Sequence, residues 1–188
     1  EVWVNELRLS EINETGGFAG LGRVDVTLAD LGTFSLSGNF HTQGFGALES
    51  KIQERQRDNL TQFDASLNID AGKLLPKKAN ISLPVFASVS KTIRTPQFDP
   101  YDQDVLYNDK INAANTQRKK DSIKNAAADQ TTIKTINLTN VRVNPGAKTK
   151  LWSLSNFDVS FNYTQTITSS PTIEENKVDK YRANIGYN

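Results

Sequence analysis

Five or more stretches of this chain alternate apolar and polar residues strictly, each about ten residues long. The clearest sets Phe157, Val159, Phe161 and Tyr163 against Asp158, Ser160, Asn162 and Thr164. Period-two alternation places the two sets on opposite faces of a β-strand. Strands of this length exceed the five or six residues common in globular sheets. They match the roughly 9–11 residues a tilted strand needs to cross a bilayer. The constraint is therefore a set of long half-apolar strands whose apolar face must meet either a protein core or lipid.

The rest of the chain repeats the pattern. A first strand is expected over 2–9, followed by the break Gly16-Gly17. Val24, Val26 and Leu28 alternate with Asp25 and Thr27; Phe34, Leu36 and Phe40 alternate with Ser35, Ser37 and Asn39. Only about Leu31-Gly32 separates those two strands, which predicts a tight hairpin. A polar stretch over 44–61 reads equally as a short helix or a loop. Alternation resumes over 62–70 and again from Asn80 to Lys91, where Ile81, Leu83, Val85, Ala87 and Val89 share a face. Pro84 has no ladder N–H, so an edge, a bulge or a local gap is expected there. Thr95-Pro96-Gln97-Phe98-Asp99-Pro100 closes the strand.

Residues 104–130 lack Pro and Gly and read as one helical or irregular polar insertion, with a thin apolar stripe (Val105, Leu106, Ile111, Ile123) expected to leave it in water rather than in a core. Strands follow over 131–143 and 151–168. A polar link over 169–178 then precedes a final face of Tyr181, Ala183, Ile185 and Tyr187. The organisation is thus strands over 1–103, the insertion over 104–130, and strands over 131–188. With about eight hairpin-linked strands and no βαβ alternation, the fold class is all-β and antiparallel.

Composition removes several functions. Lys and Arg number 22 against 21 Asp and Glu, a net charge of +1, so no field favours nucleic acid. The small knot Arg118, Lys119, Lys120 reads as a solvated helix face. There is no Cys, which excludes thiolate metal sites, disulfides and thiol catalysis. There is no Met, so Glu1 is expected to lie within a longer polypeptide or to follow processing. His41 is the one histidine; histidine metal clusters and Ser-His-Asp triads within this segment are excluded. Asp99, Asp102 and Asp104 sit in a Pro-bounded loop but lack the glycine and terminal Glu of a calcium loop, and read as a solvated turn. Gly16, Gly17, Gly20 and Gly22 precede a strand, lack a phosphate-binding lysine, and read as turn chemistry. No catalytic, cofactor-binding or metal residues are assigned and no enzyme is expected.

The lipid question stays open on pattern alone. No run of 18 apolar residues is present, and a mean hydropathy of -0.51 suits either a soluble sheet or a barrel. The polar faces of the strands over 33–42, 62–70 and 155–168 are Ser, Thr, Asn, Gln and some Asp with almost no Lys or Glu, which leans slightly toward a neutral lumen. Phe40, Phe45, Tyr163 and Tyr187 near strand ends would suit interfacial girdles.

Three phrases go further: Val2-Trp3-Val4-Asn5-Glu6-Leu7-Arg8-Leu9; Gly44-Phe45-Gly46-Ala47-Leu48-Glu49; and Gly72-Lys73-Leu74-Leu75-Pro76 running into Ser82-Leu83-Pro84-Val85, Ser88-Val89-Ser90-Lys91 and Thr95 to Pro100. In this order they closely resemble the SprA (Sov) family of Bacteroidetes cell-surface proteins, over most of residues 1–168. The resemblance implies a segment of a very large transmembrane β-barrel in the cell outer membrane, in the size range where about 36 strands occur. It implies the translocon of the type 9 secretion system, which exports folded proteins and supports gliding motility. The implied partners are outer-membrane lipid, secreted cargo proteins, and plug and accessory subunits. A soluble surface-exposed β-domain binding a protein or glycan is the alternative.

Overall fold

The computed structural model describes residues 16–51, 54–76, 80–144 and 153–187. The expected strand over 2–9 lies outside them. Eight strands form one antiparallel meander: β1 (Ala19–Leu28), β2 (Gly32–His41), β3 (Asp58–Asp70), β4 (Ile81–Ser82), β5 (Pro84–Pro96), β6 (Asp129–Val143), β7 (Phe157–Ser170) and β8 (Ile173–Tyr187). Their order is β1-β2-β3-β5-β6-β7-β8, with β4 pairing β6 off this path. Among the described residues β1 and β8 each pair on one side only, so the sheet is open.

The all-β antiparallel class holds, and several boundaries move. The β1–β2 hairpin turns through 29–31, with Ala29 at φ 46. The strand predicted over Asn80 to Lys91 is split at Leu83 and extends to Pro96. Ile81 pairs Val143 and Val85 pairs Leu138, so β6 carries an extra residue opposite the Pro84 break. That extra residue belongs to a bulge between Leu138 and Val141, where Asn140 stands at φ 52 and its amide donates to Ser160 Oγ at 3.0 Å. The polar link expected over 169–178 is a correction: only a two-residue turn separates β7 from β8, and Ile173 to Val178 is strand.

The turn from β3 into β4 explains one of the recurring phrases. Asp70 Oδ1 accepts from the amides of Gly72 (3.2 Å) and Leu83 (3.3 Å), and Ala71 N–H donates to Leu83 O at 2.8 Å. Lys73 Nζ reaches back to the carbonyl of Asp30 in the neighbouring turn. A side chain at Gly72 would place its Cβ 2.1 Å from the Ile81 carbonyl, so the chain closes here only around glycine. Gly72→Ala is expected to cost about 1–3 kcal/mol of stability, read in denaturant unfolding, whereas Lys73→Ala should cost under about 1 kcal/mol.

The insertion holds α1 (Tyr107–Ala113) and α2 (Gln117–Ala127), two short helices where one helical segment is expected. A further correction concerns burial. The fully buried residues among those described are Tyr107, Ala127, Ala128 and Asp99, all in the connection from β5 to β6. Ala127 ends α2 and Ala128 leads into β6, and Tyr101 Oη donates to the Pro171 carbonyl in the β7–β8 turn. Among its described residues the sheet itself buries none completely.

Candidate functional site

Register assigns every strand residue to one of two faces. Along the polar face, Asp25, Ser35, Ser66, Ser88, Thr135, Thr164 and Lys180 stand in one row across seven strands. A neighbouring row reads Thr33, Asn68, Phe86, Asn137, Asn162 and Arg182. Short neutral hydroxyls and amides dominate, a surface that water wets without strong charge.

The opposite face is apolar and uncovered. It carries Phe34, Leu36 and Phe40; Phe63, Ala65, Leu67 and Ile69; Val85, Ala87 and Val89; Ile136 and Leu138; and Phe157, Val159, Phe161 and Tyr163 beside Tyr181, Ala183, Ile185 and Tyr187. Ile185 is 72% exposed and Tyr181 68%. A monomeric soluble sheet that leaves such a face open would carry an aggregation surface far larger than the few hundred Å² usually tolerated.

The apolar area has a shaped edge. Phe63 stands opposite Gly38, one pleat below Phe40; Val89 stands opposite Ala65, one pleat below Phe63; Ile136 stands opposite Ala87, one pleat below Val89. Ile136, Tyr163 and Tyr181 are then level. Immediately above this line the same face turns polar with Lys91, Lys134, Gln165 and Asp179; Ile93 and Ile167 are the apolar exceptions. The lower edge descends in the same sense, from Ile69 and Val85 to the pair Phe157 and Tyr187. From β2 to β6 the upper edge thus drops two residues per strand and then runs level to β8, six residues over five steps, an average of about one residue per strand; on β1 the same face is apolar from Val24, level with Leu36. With a rise of ~3.3 Å per residue and ~4.8 Å between strands, the band runs about 35–40° off the ladder direction. Strands in transmembrane barrels tilt by roughly 35–45°, so a band parallel to a membrane plane would cut them at this slope.

Aromatic pairs mark both edges on the last hairpin. Tyr163 stacks on Tyr181 with centroids 4.9 Å apart, and Phe157 meets Tyr187 edge-on at 5.2 Å. Between them lie about 20 Å of strand, less than the ~25 Å height usual for outer-membrane-type bands. Phe40 also sits on the edge. Phe45 does not: it lies in the β2–β3 loop and stacks on His41 at 6.4 Å, on the polar side.

The other sequence candidates resolve into structural roles. His41 Nε2 lies 3.2 Å from Asp58 Oδ1, and Arg94 Nε binds Asp58 Oδ2 at 2.9 Å. Among the described residues the imidazole meets a carboxylate and a ring, and no hydroxyl nucleophile. Gly17 packs against the 42–45 backbone, where a Cβ would come within 2.3 Å of the Phe45 nitrogen, so it serves a chain crossing. Of the 44–61 stretch, the described residues before Asp58 form a loop, clasped by Gly44 N–H to Gln56 O at 2.8 Å and Gln56 N–H to Phe45 O at 2.9 Å, and 58–61 already belong to β3.

Asp99 is a correction to the solvated turn. It is 2% exposed, its Oδ2 binds Lys110 Nζ at 2.8 Å, and its Oδ1 accepts the amides of Tyr101 (2.8 Å) and Asp102 (3.1 Å). Burial pushes this carboxyl up, but Lys110 and the two amides outweigh it and hold it below the ordinary carboxylate range. Asp102 and Asp104 are exposed and do not join it. No group of three or more acidic or His residues able to hold a metal occurs among the described residues. Arg118 and Lys119 are exposed on α2, with Lys120 half-buried. Clefts of about 940 Å³ under α2 and about 530 Å³ beside Asp58 and Arg94 flank the insertion. No helix among the described residues is long and apolar enough to cross a membrane.

A family model described as motility related/secretion protein, SprA_N, matches residues 1–111, more than half of the 188. The chain belongs to this family. The SprA_N match runs through β5 and ends within α1, yet the oblique band continues unbroken across β6, β7 and β8. The matched and unmatched parts thus build one sheet. No curated protein matches the chain.

Proposed function

We propose that this sheet is a wall segment of an outer-membrane protein-conducting channel, its apolar face in lipid and its hydroxyl-lined face on an aqueous pore. The observation that carries the reading is the uncovered apolar band, whose mean slope from β2 to β8 falls in the range of barrel strand tilts. Family membership supports a role in motility and secretion, and the type 9 system that exports folded proteins and supports gliding is the assignment we favour. In this reading further strands pair with β1 and β8, because an open edge is not tolerated in hydrocarbon. The channel works without catalysis. Its partners are outer-membrane lipid, secreted cargo, and plug and accessory subunits that gate so large an opening.

The test uses spin labels in the full-length protein in native outer membrane. A label at Phe161 is expected to be relaxed strongly by a lipid-soluble quencher and weakly by an aqueous one, with the reverse at Asn162. Equal lipid quenching at the two positions would overturn the wall assignment, as would recovery of the full-length protein as a detergent-free soluble monomer.

A further inference from the structure

The apolar face holds a shallow groove. Ala65 and Ala87 floor it, while Phe34, Leu67, Val89 and Ile136 rise around them, and its volume is about 330 Å³. Ala65 faces Val89 and Ala87 faces Ile136 across the ladders, so the small side chains lie next to each other in the sheet and open a channel between bulkier neighbours. Lys134 lines the same groove at its polar end, level with Val89. Lys91, on the adjacent strand one pleat further out, shares this face and is exposed, as is Lys134. Diagonal neighbours of this kind lie about 7–8 Å apart. No ion pair involves either lysine among the described residues; Asp179, the acid nearest in the same row, is bound by Tyr163 Oη at 2.8 Å and by Gln165 Nε2 at 2.9 Å.

Two unpaired ammonium groups at the polar rim of an apolar groove make a bipartite surface. The groove accepts a hydrocarbon chain, and the lysines accept a multivalent anion where that chain meets water. We infer that this groove is a binding site for an anionic phospholipid, with an acyl chain over Ala65 and Ala87 and the headgroup phosphate between Lys91 and Lys134. The site rests on the lipid-facing assignment made above and specifies one lipid class within it. Its chemistry distinguishes anionic from zwitterionic lipid, because a choline headgroup brings its own cation to the phosphate and competes with the lysines. A bound lipid also fills the depression left by the alanines, which otherwise forfeits dispersion contacts.

The experiment uses the full-length protein in detergent, with phosphatidylglycerol and phosphatidylcholine of identical chains titrated in native mass spectrometry. Wild type is expected to retain phosphatidylglycerol in preference. The double variant Lys91→Gln/Lys134→Gln should weaken that retention roughly tenfold to thirtyfold and leave phosphatidylcholine unchanged. Ala87→Leu, which fills the groove and keeps both lysines, should weaken it as well. Retention of phosphatidylglycerol by the double variant at the wild-type level overturns the site. A photo-reactive side chain at Val89 should yield a lipid adduct; an adduct to another polypeptide, or to a second copy, also overturns it. The Phe161 label separates the two levels: strong lipid quenching there with unaltered phosphatidylglycerol binding removes this site alone, whereas lost quenching removes the lipid-facing assignment beneath it.

Discussion

Val159→Lys in the full-length protein is expected to destabilise the folded protein by about 2–4 kcal/mol in a bilayer, the depth-dependent cost of a cation near the midplane of a barrel's outer face. Val159 lies inside the band, one pleat above Phe157 and paired with Ile185. The control is Ser160→Lys on the same strand, which points to the polar face and should cost only about 1 kcal/mol if that face is wet, the loss of the acceptor for the Asn140 amide. Tyr181→Lys at the band edge should fall between them, because a lysine there reaches the interface. Denaturant unfolding in bilayers reads all three. A cost at Val159 no greater than at Ser160 would argue against lipid on this face. The ordering, more than any single value, discriminates lipid from a protein core, since a packed core has no graded edge.

Lys110→Met is expected to be the most damaging single change in the insertion, at about 3 kcal/mol. Removing one partner of a buried pair strands the other charge, and typical costs are roughly 3–5 kcal/mol; the two amides on Asp99 and the partial exposure of Lys110 place this case at the low end. The readout is proteolytic opening of residues 97–128 at neutral pH, with the strands left intact. The pH dependence has a definite sign. The folded carboxyl of Asp99 lies below its unfolded value near ~4, so its stabilisation is complete above that value and is lost as pH falls through the depressed folded one. Acid should therefore open the wild-type insertion and narrow its gap to Lys110→Met, because a neutral Asp99 no longer needs the cation. Equal protection of wild type and Lys110→Met at neutral pH would remove the pair as the anchor.

Strand content was legible because alternation is a local property. Phe157 to Tyr163 announces its two faces without reference to anything else, and Pro84 and Pro96 mark where a ladder must falter or stop. β8 was half hidden for an equally local reason: Ile173 to Lys180 carries charge on both faces, and a segment of that kind becomes strand only because a two-residue turn lays it along β7. Asp99 was misread because three nearby aspartates in a Pro-bounded loop look solvated. Its burial depends on Lys110, which arrives from a helix whose placement the loop sequence does not encode. The Asp-Pro-Tyr-Asp spacing does carry the local turn in which Asp99 accepts two following amides, and this was the one available sign.

The sequence by itself determined that this chain makes long two-faced strands without thiol or histidine-cluster chemistry, since period, length and residue type are carried by neighbours along the chain. It also carried the family phrases, and the Gly72 phrase closes the turn into β4. Only the tertiary structure decided what the apolar faces amount to together. Whether Phe40, Phe63, Val89, Ile136 and Tyr181 form a level row or an oblique one depends on inter-strand register, which turns, a bulge and the Pro84 break set jointly. Register turned separate apolar stripes into a single tilted band, and it brought Ala65, Ala87 and Lys134 from three strands to one groove, with Lys91 one pleat further out.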